Sequence, residues 1–489
     1  MEQIHFSLSG CQAQYTAHPG QSWMQALEDN GFYLDAPCGG HGSCGKCGIQ
    51  VNGETVLACR TAVQDNAVLV LPQTKKASIL SAASKAPLPT DGSCRFALAI
   101  DLGTTTIAAC LLDGASGTLL AQASCLNPQT QYGADVISRI EYAAKHGAQA
   151  LCDCAWQAFR RLTGEVSAAA GIRAAQIDML CVVGNTAMHH LLLGIDVQPL
   201  ITPPYMPKIC EAIERRGVSE LPIAPEAVLR VLPNIAGFVG ADTVGCMSAV
   251  RFDELEELTL LIDIGTNGEM VLGTGVRRVA CSTAAGPAFE GAKIACGMRG
   301  AAGAIDHVHI QDGALCWHVI GGVAPTGICG SGLLDLIASL LELGEIDDSG
   351  KLAAGQRFTL PGTSVYLTQQ DVREVQLAKA AIRAGIALLC AHLGVTAGEI
   401  RQVLLAGAFG NYLSPASACR IGMLPPELLP KICGIGNAAG LGAQLCALSA
   451  DAFVRSRTLA AKTEFLELAS RPDFQDQFVD ALRFEEEIE

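Results

Sequence analysis

Four cysteines near the start of the chain have the types and the spacing for metal chemistry. Cys38, Cys44, Cys47 and Cys59 are separated by five, two and eleven residues. Thiolates hold iron, and a two-iron, two-sulphur (2Fe-2S) cluster needs two from each side. Gly39, Gly40, Gly42, Gly45 and Gly48 let the backbone wrap such a cluster and aim amides at its sulphurs, which tunes its potential. Zinc is the rival occupant. Zinc loops often pair two Cys-x-x-Cys halves, whereas here the one such pair, Cys44 and Cys47, has two outlying partners. His41 reads as a loop residue, because four thiols already complete the set.

A second chemistry lies downstream. Asp101-Leu-Gly103-Thr104-Thr105-Thr106 sits between apolar runs at 96–100 and 107–112. Strand, glycine turn and strand is the layout of a phosphate-binding hairpin. Gly103 permits the turn, and the amides and hydroxyls after it can meet phosphate oxygens. Asp101 would hold magnesium through water. The pattern returns at Asp263-Ile-Gly265-Thr266-Asn267-Gly268-Glu269. This internal repeat implies two similar halves facing one another across a nucleotide, with the two aspartates sharing the metal.

Other residues join this set. Gly407-Ala-Phe409-Gly410-Asn411 follows an apolar run at 403–406 and suits a backbone passing close to adenosine. Gly327-Ile-Cys-Gly330-Ser-Gly332 opens a helical run, and its start suits phosphate or ribose; a purely structural tight turn is the other reading. Asp242 is a further candidate for holding magnesium or positioning water. Glu269 is a candidate for polarising the attacking water, against a structural carboxylate. Asn185 follows an apolar strand and either contacts phosphate or braces a hinge. His189 and His190 begin an apolar helix and read as packing groups.

These groups need scaffolds. Strands are predicted at 3–8 and 13–17, a helix at 22–30, and strands at 48–51 and 54–58 joined by Asn52-Gly53, a strong hairpin signal. Residues 72–94 mix prolines, small residues and charges and read as a linker. The predicted organisation is a cluster domain at 1–75, a linker at 76–95, two similar subdomains at 96–255 and 256–460, and a tail at 461–489 that packs a short strand and helix on the body.

The totals bound the answer. A chain of 489 residues forms several domains. A net charge of -15 without a basic stripe argues against nucleic acid as a partner. The 21 cysteines, with no secretory leader in the first residues, point to a reducing, cytoplasmic setting rather than a disulfide scaffold. The most apolar long segment, 375–393, carries Lys379 and Arg383 and reads as a buried or amphipathic helix, not a membrane span.

Residues 1–75 resemble the plant-type and adrenodoxin-type ferredoxins, although the interval from Cys47 to Cys59 is shorter than in free ferredoxins. The rest resembles the acetate kinase, sugar kinase, heat-shock and actin superfamily. More narrowly, the whole chain looks like the reductive activators of corrinoid proteins. Besides the loops above, the matching stretches are Asn127-Pro-Gln-Thr-Gln-Tyr-Gly133-Ala-Asp135-Val-Ile-Ser-Arg139-Ile, Val183-Gly-Asn185-Thr186-Ala-Met188-His189-His-Leu-Leu-Leu-Gly194 and Pro233-Asn-Ile-Ala-Gly237-Phe-Val-Gly240-Ala-Asp242. Larger members carry an additional middle domain, where this chain has only a short linker.

The resemblance implies an α+β, β-grasp ferredoxin-like domain followed by a duplicated α/β, actin-like and ribonuclease H-like ATPase body. It implies ATP, Mg2+ and a 2Fe-2S cluster as cofactors, and a corrinoid protein of a methyltransferase system and a low-potential electron donor as partners. It leans towards a homodimer. The implied reaction is ATP-dependent reduction of inactive Co(II) to Co(I). The alternatives are an ATP-dependent activator of a different metalloenzyme, a small-molecule kinase with an accessory iron–sulphur domain, and a redox adaptor without ATP turnover.

Overall fold

The computed structural model describes residues 4–9, 14–30, 34, 47–71, 86–291, 293–410, 412–468 and 471–484, the side chains of Glu28, Asp29, Ala408 and Phe409 excepted. Cys38, Cys44, the glycine-rich loop between them, Asn411 and most of the linker lie outside the described residues.

The first domain is a five-stranded β-grasp sheet. Ile4–Leu8 pairs antiparallel with Gln14–Ala17 and parallel with Ala67–Val70, which then pairs with the Gly48–Val51 and Glu54–Leu57 hairpin. Asn52 and Gly53 both adopt positive φ at the hairpin turn, as this residue pair favours. The helix Trp23–Asp29 lays Trp23, Ala26 and Leu27 on the sheet, against Phe6, Ile49 and Leu69. The strand Ala67–Val70 was not foreseen. It is only four residues long, and its exposed Val68 and Val70 alternate with the buried Ala67 and Leu69.

The body contains two six-stranded sheets of matching design. In the first, Phe96–Leu102, Thr106–Asp113 and Leu119–Leu126 form an antiparallel meander, and Met179–Val183 and Val228–Val231 add in parallel on the far side. In the second, Thr259–Ile264, Gly268–Gly273 and Arg278–Thr283 form the meander, and Gln402–Ala406 and Ile432–Gly436 add in parallel. This duplicated meander-plus-parallel arrangement is the ribonuclease H-like repeat of an actin-type ATPase.

Strand alternation divides each sheet between two cores. Leu98, Ile100 and Leu102 pack outward against the helices Val136–His146 and Gln149–Ala170. Ala97 and Ala99 face inward, towards the helices Ala241–Ala249, Ala438–Leu448 and Ala450–Ala461, which lie between the sheets. Leu260, Ile262 and Ile264 pack outward against Gly330–Glu342 and Gln369–Leu393, whereas Leu261 faces the middle layer. The same parity turns Asp101 and Asp263 towards the layer between the lobes.

The middle layer is tight. A side chain on Gly442 would lie 2.0 Å from the Gly245 carbonyl oxygen, and one on Gly245 would lie 2.8 Å from that of Ala439. Glycine at both positions lets the two inter-lobe helices touch backbone to backbone.

Two segments flank the body. Residues 88–91 of the expected linker are not free chain: Leu88 N–H donates to Gly117, Thr90 Oγ1 to Gly114 and Asp91 N–H to Leu448, while Asp91 Oδ2 accepts from Ala450 N–H. In the tail, Glu464–Phe465 extends the second sheet beside Arg278–Thr283, and Gln376 Nε2 donates to the Leu482 carbonyl. Gln369–Leu393 is the one described helix long and apolar enough to cross a membrane, but 72% of its most apolar window is buried in the body. Its Lys379 is enclosed, with the ammonium bonded to the Arg483 carbonyl and set over the Phe484 ring.

Candidate functional site

The two described cluster cysteines come together. Cys47 ends the loop just before the strand Gly48–Val51, and Cys59 follows the strand Glu54–Leu57, so the hairpin returns the chain to its starting level. Their sulphurs are 3.2 Å apart, too far for a disulfide bond. Cys47 is fully buried and Cys59 partly so. A soft, paired thiol set at one edge of a small sheet fits an iron–sulphur cluster.

The second site lies where the two meanders face one another. Asp101 is the penultimate residue of its strand, and its Oδ2 accepts from Asn437 Nδ2 at 3.0 Å across the lobes. Asn437 also caps the helix Ala438–Leu448 through the Gly440 N–H. Asp263 is penultimate in the equivalent strand and accepts from Cys246 Sγ at 3.4 Å. Gly407, at φ +89°, passes so close that a side chain there would meet Asp263 Oδ1 at 2.8 Å. Glu269 stands directly across the ladder from Asp263, and Asp242 begins the inter-lobe helix Ala241–Ala249.

Four carboxyls, Glu269 buried and Asp101, Asp242 and Asp263 half-buried, therefore share one cleft floor. Burial pushes Asp101 up to about 7, with Asn437 opposing and Asp263 adding to the rise. Burial and then Asp263 push Asp242 to about 7. Asp263 rises for the same first reason, and Glu269 is pushed well above the carboxylate range by burial and then by Asp242 and Asp263. Such a set calls for a cation. Among the described residues no three acidic, histidine or cysteine side chains converge as a ready-made metal cage. That fits an ion such as Mg2+, which keeps several waters and binds through one or two carboxylates plus substrate phosphates.

The loop that follows Asp101 is held from behind. Asn127 Nδ2 donates to the Gly103 carbonyl at 2.8 Å, Arg139 Nη2 to that of Thr104 at 2.6 Å, and Asn127 N–H to that of Thr105 at 2.9 Å. Engaging three successive carbonyls on one side is the arrangement that turns such a loop's amides towards an anion. Asn185 Nδ2 fixes Thr104 Oγ1 at 2.9 Å while its Oδ1 caps the helix Thr186–Leu192. Thr106 begins the next strand. In the second loop, Gly265 N–H donates to the Asn267 carbonyl, and Gly268 packs under Thr283 and Ile382.

Not every expected residue joins this cleft through described contacts. The Gly330 helix start is tied to a neighbouring strand: Ser331 Oγ donates to the Asp306 carbonyl, and a side chain on Gly332 would strike that of Ile305. Gly410 lies over Leu405, and the Phe409 side chain is outside the described residues. His189 and His190 are buried with their Nδ1 atoms 3.4 Å apart, and burial lowers both.

Three residues of the cleft were missed. Asn437 repeats the strand–Gly–Asn–helix pattern of Asn185, a signal present in the sequence. Arg139 is fully buried, and burial lowers its guanidinium to about 9. Glu290 takes the Thr105 hydroxyl on one carboxylate oxygen at 2.9 Å and the Thr266 hydroxyl on the other at 2.5 Å.

Comparison with known proteins agrees with this geometry. Residues 6–71 match the 2Fe-2S iron–sulfur cluster binding domain, residues 96–255 the RACo middle region and residues 257–489 the C-terminal, ASKHA domain of RACo. The chain is 36% identical over 413 residues to the corrinoid activation enzyme RamQ of Eubacterium limosum, covering 78% of this chain and 69% of that protein. It is 26% identical over 374 residues to the [Co(II) methylated amine-specific corrinoid protein] reductase of Methanosarcina barkeri, covering 70% and 68%. The structure of a reductive activator for a corrinoid, iron–sulfur protein superposes over 98% of both chains, with a TM-score of 0.74 and 28% identity. The chain belongs to the RACo family of reductive activators, a 2Fe-2S ferredoxin domain joined to an ASKHA-type ATPase body.

Proposed function

We propose that this protein reductively activates a corrinoid protein of a methyltransferase system, spending ATP to return inactive Co(II) to Co(I). The observation that carries this reading is the presence in one chain of a cluster-type cysteine pair and a two-lobed cleft with matched phosphate loops. Held by Cys38, Cys44, Cys47 and Cys59, a 2Fe-2S cluster supplies a one-electron carrier. A low-potential donor delivers that electron, and the corrinoid cobalt accepts it.

The body supplies the coupling. Gly103, Thr104, Thr105 and Thr106 take phosphate oxygens from one lobe and Gly265, Thr266, Asn267 and Gly268 from the other, while Gly407 lines the adenosine side. Asp101, Asp263 and Asp242 hold Mg2+ through water. Asn185 braces Thr104, and Glu269 lies beneath the second loop. Because the loops sit on different lobes, ATP bound between them favours the closed arrangement over the open one, and this differential binding is the free energy available to the redox step. The setting is cytoplasmic and the assembly a homodimer.

The test mixes the cluster-loaded protein with a Co(II) corrinoid protein and a low-potential donor under anaerobic conditions. Growth of the Co(I) absorption band only with Mg-ATP supports the reading. Phosphate transfer to a small alcohol, with no Co(I), would favour a kinase instead.

A further inference from the structure

We propose that Glu290 is the carboxylate that holds the water attacking the terminal phosphate of ATP, an inference that rests on the cleft between the two loops being the ATP site. Both hydroxyls that Glu290 accepts belong to the phosphate loops, Thr105 on the first lobe and Thr266 on the second. The carboxylate thus spans the lobes at the level where phosphate oxygens would take the same hydroxyls. When a terminal phosphate takes those donors, Glu290 is left beside it. Two anions in direct contact repel one another, so a water between carboxylate and phosphorus is the stable filling.

The local chain is built to hold this group still. Glu290 ends the 3-10 turn Pro287–Glu290, with Pro287 in its first turn and glycines on both sides at positive φ, Gly286 at 78° and Gly291 at 77°. Phe289 and Ala288 anchor the turn in the core of the second lobe. A side chain on Gly291 would strike the Met298 backbone at 2.7 Å, which fixes the exit as well. Arg139, behind the first loop, holds the Thr104 carbonyl next to Thr105 and so steadies the hydroxyl that Glu290 accepts. Glu269 is placed less well for this work: it is 8% exposed, lies opposite Asp263 within the sheet and accepts from Ser282 Oγ at 3.4 Å.

In the reaction, the water oxygen bonds to the γ-phosphorus as the bond to the β–γ bridging oxygen breaks. The water proton passes to Glu290 and from there to solvent, and ADP and phosphate leave.

Wild-type protein, Glu290→Gln and Glu290→Asp are compared in the full chain by equilibrium binding of Mg-ATP and by single-turnover hydrolysis. Glu290→Gln is expected to hydrolyse ATP about 10²-fold or more slowly, while binding Mg-ATP at least as tightly, because the competing charge is gone. Glu290→Asp keeps the charge but withdraws it by one methylene, and its rate should fall between the two. Hydrolysis by either variant at the wild-type rate would overturn the assignment. So would a loss of Mg-ATP affinity in parallel with rate, which would make Glu290 a strut between lobes. A wild-type protein that neither binds nor hydrolyses ATP would overturn the reading of the cleft, and this assignment with it.

Discussion

The cleft floor gathers four carboxyls whose neutral forms are favoured unless a cation binds. Asp101 and Asp242 both rise from 3.8 to about 7 through burial and one another's neighbours. Their folded values lie above their unfolded ones, so their contribution to stability is fully present below the unfolded value and is lost as pH rises through about 7. Magnesium bound at these carboxyls would reverse this by favouring the ionised forms. The thermal stabilisation given by Mg-ADP should therefore grow from about pH 6 to about pH 8, with protons released on binding. Melting curves with and without Mg-ADP check this, and an increment independent of pH would contradict it. Gly407 carries a second prediction at this scale. Gly407→Ala forces a left-handed residue, at about 1–2 kcal/mol, and sets a methyl against Asp263 Oδ1. Mg-ATP affinity should fall at least tenfold, as titration of the folded variant would show; unchanged affinity would remove Gly407 from the site.

At the scale of elements, strand ends and the inter-lobe helices place the site. Asp101, Asp263 and Glu269 were legible because each lies in an apolar strand whose alternation fixes its face. The repeat of Asp-x-Gly-Thr was legible because it is local. Glu290 was not, since its Thr105 partner lies 185 residues away and only the folded sheets bring the two together; Asn437 carried a local helix-cap signal, but its Asp101 partner lies 336 residues away. Arg139 was hidden for another reason: a guanidinium inside a core reads as a surface residue unless its carbonyl partners are known. The helix crossing at Gly245 and Gly442 makes its own prediction. Gly442→Ala places a methyl 2.0 Å from the Gly245 carbonyl oxygen, an overpacking that costs about 1–3 kcal/mol. The melting temperature should drop by several degrees and ATP hydrolysis should fall, as calorimetry and phosphate release would show. Full stability and full rate together would mean that the helices separate freely at this point.

At the scale of the whole molecule, the cluster domain and the body have separate cores and separate chemistry. Cys59→Ser should abolish the visible absorption of the cluster and all Co(I) formation, while ATP hydrolysis continues within about threefold of wild type, since exposed or distant changes rarely move a separate site. Collapse of ATP hydrolysis in that variant would mean that the cluster domain is part of the catalytic body. The fusion itself was plain in the sequence, from one cysteine loop and two phosphate loops in a single chain; the anchoring of residues 88–91 onto the body was not, because it is made by backbone groups that any residue type supplies. The most direct measurement of the central claim is the anaerobic Co(I) absorption of a Co(II) corrinoid methyltransferase protein mixed with the reduced, cluster-loaded chain, followed with and without Mg-ATP. A Co(I) band that grows only when Mg-ATP is present is the expected result. A band of equal rate and size without nucleotide would contradict it.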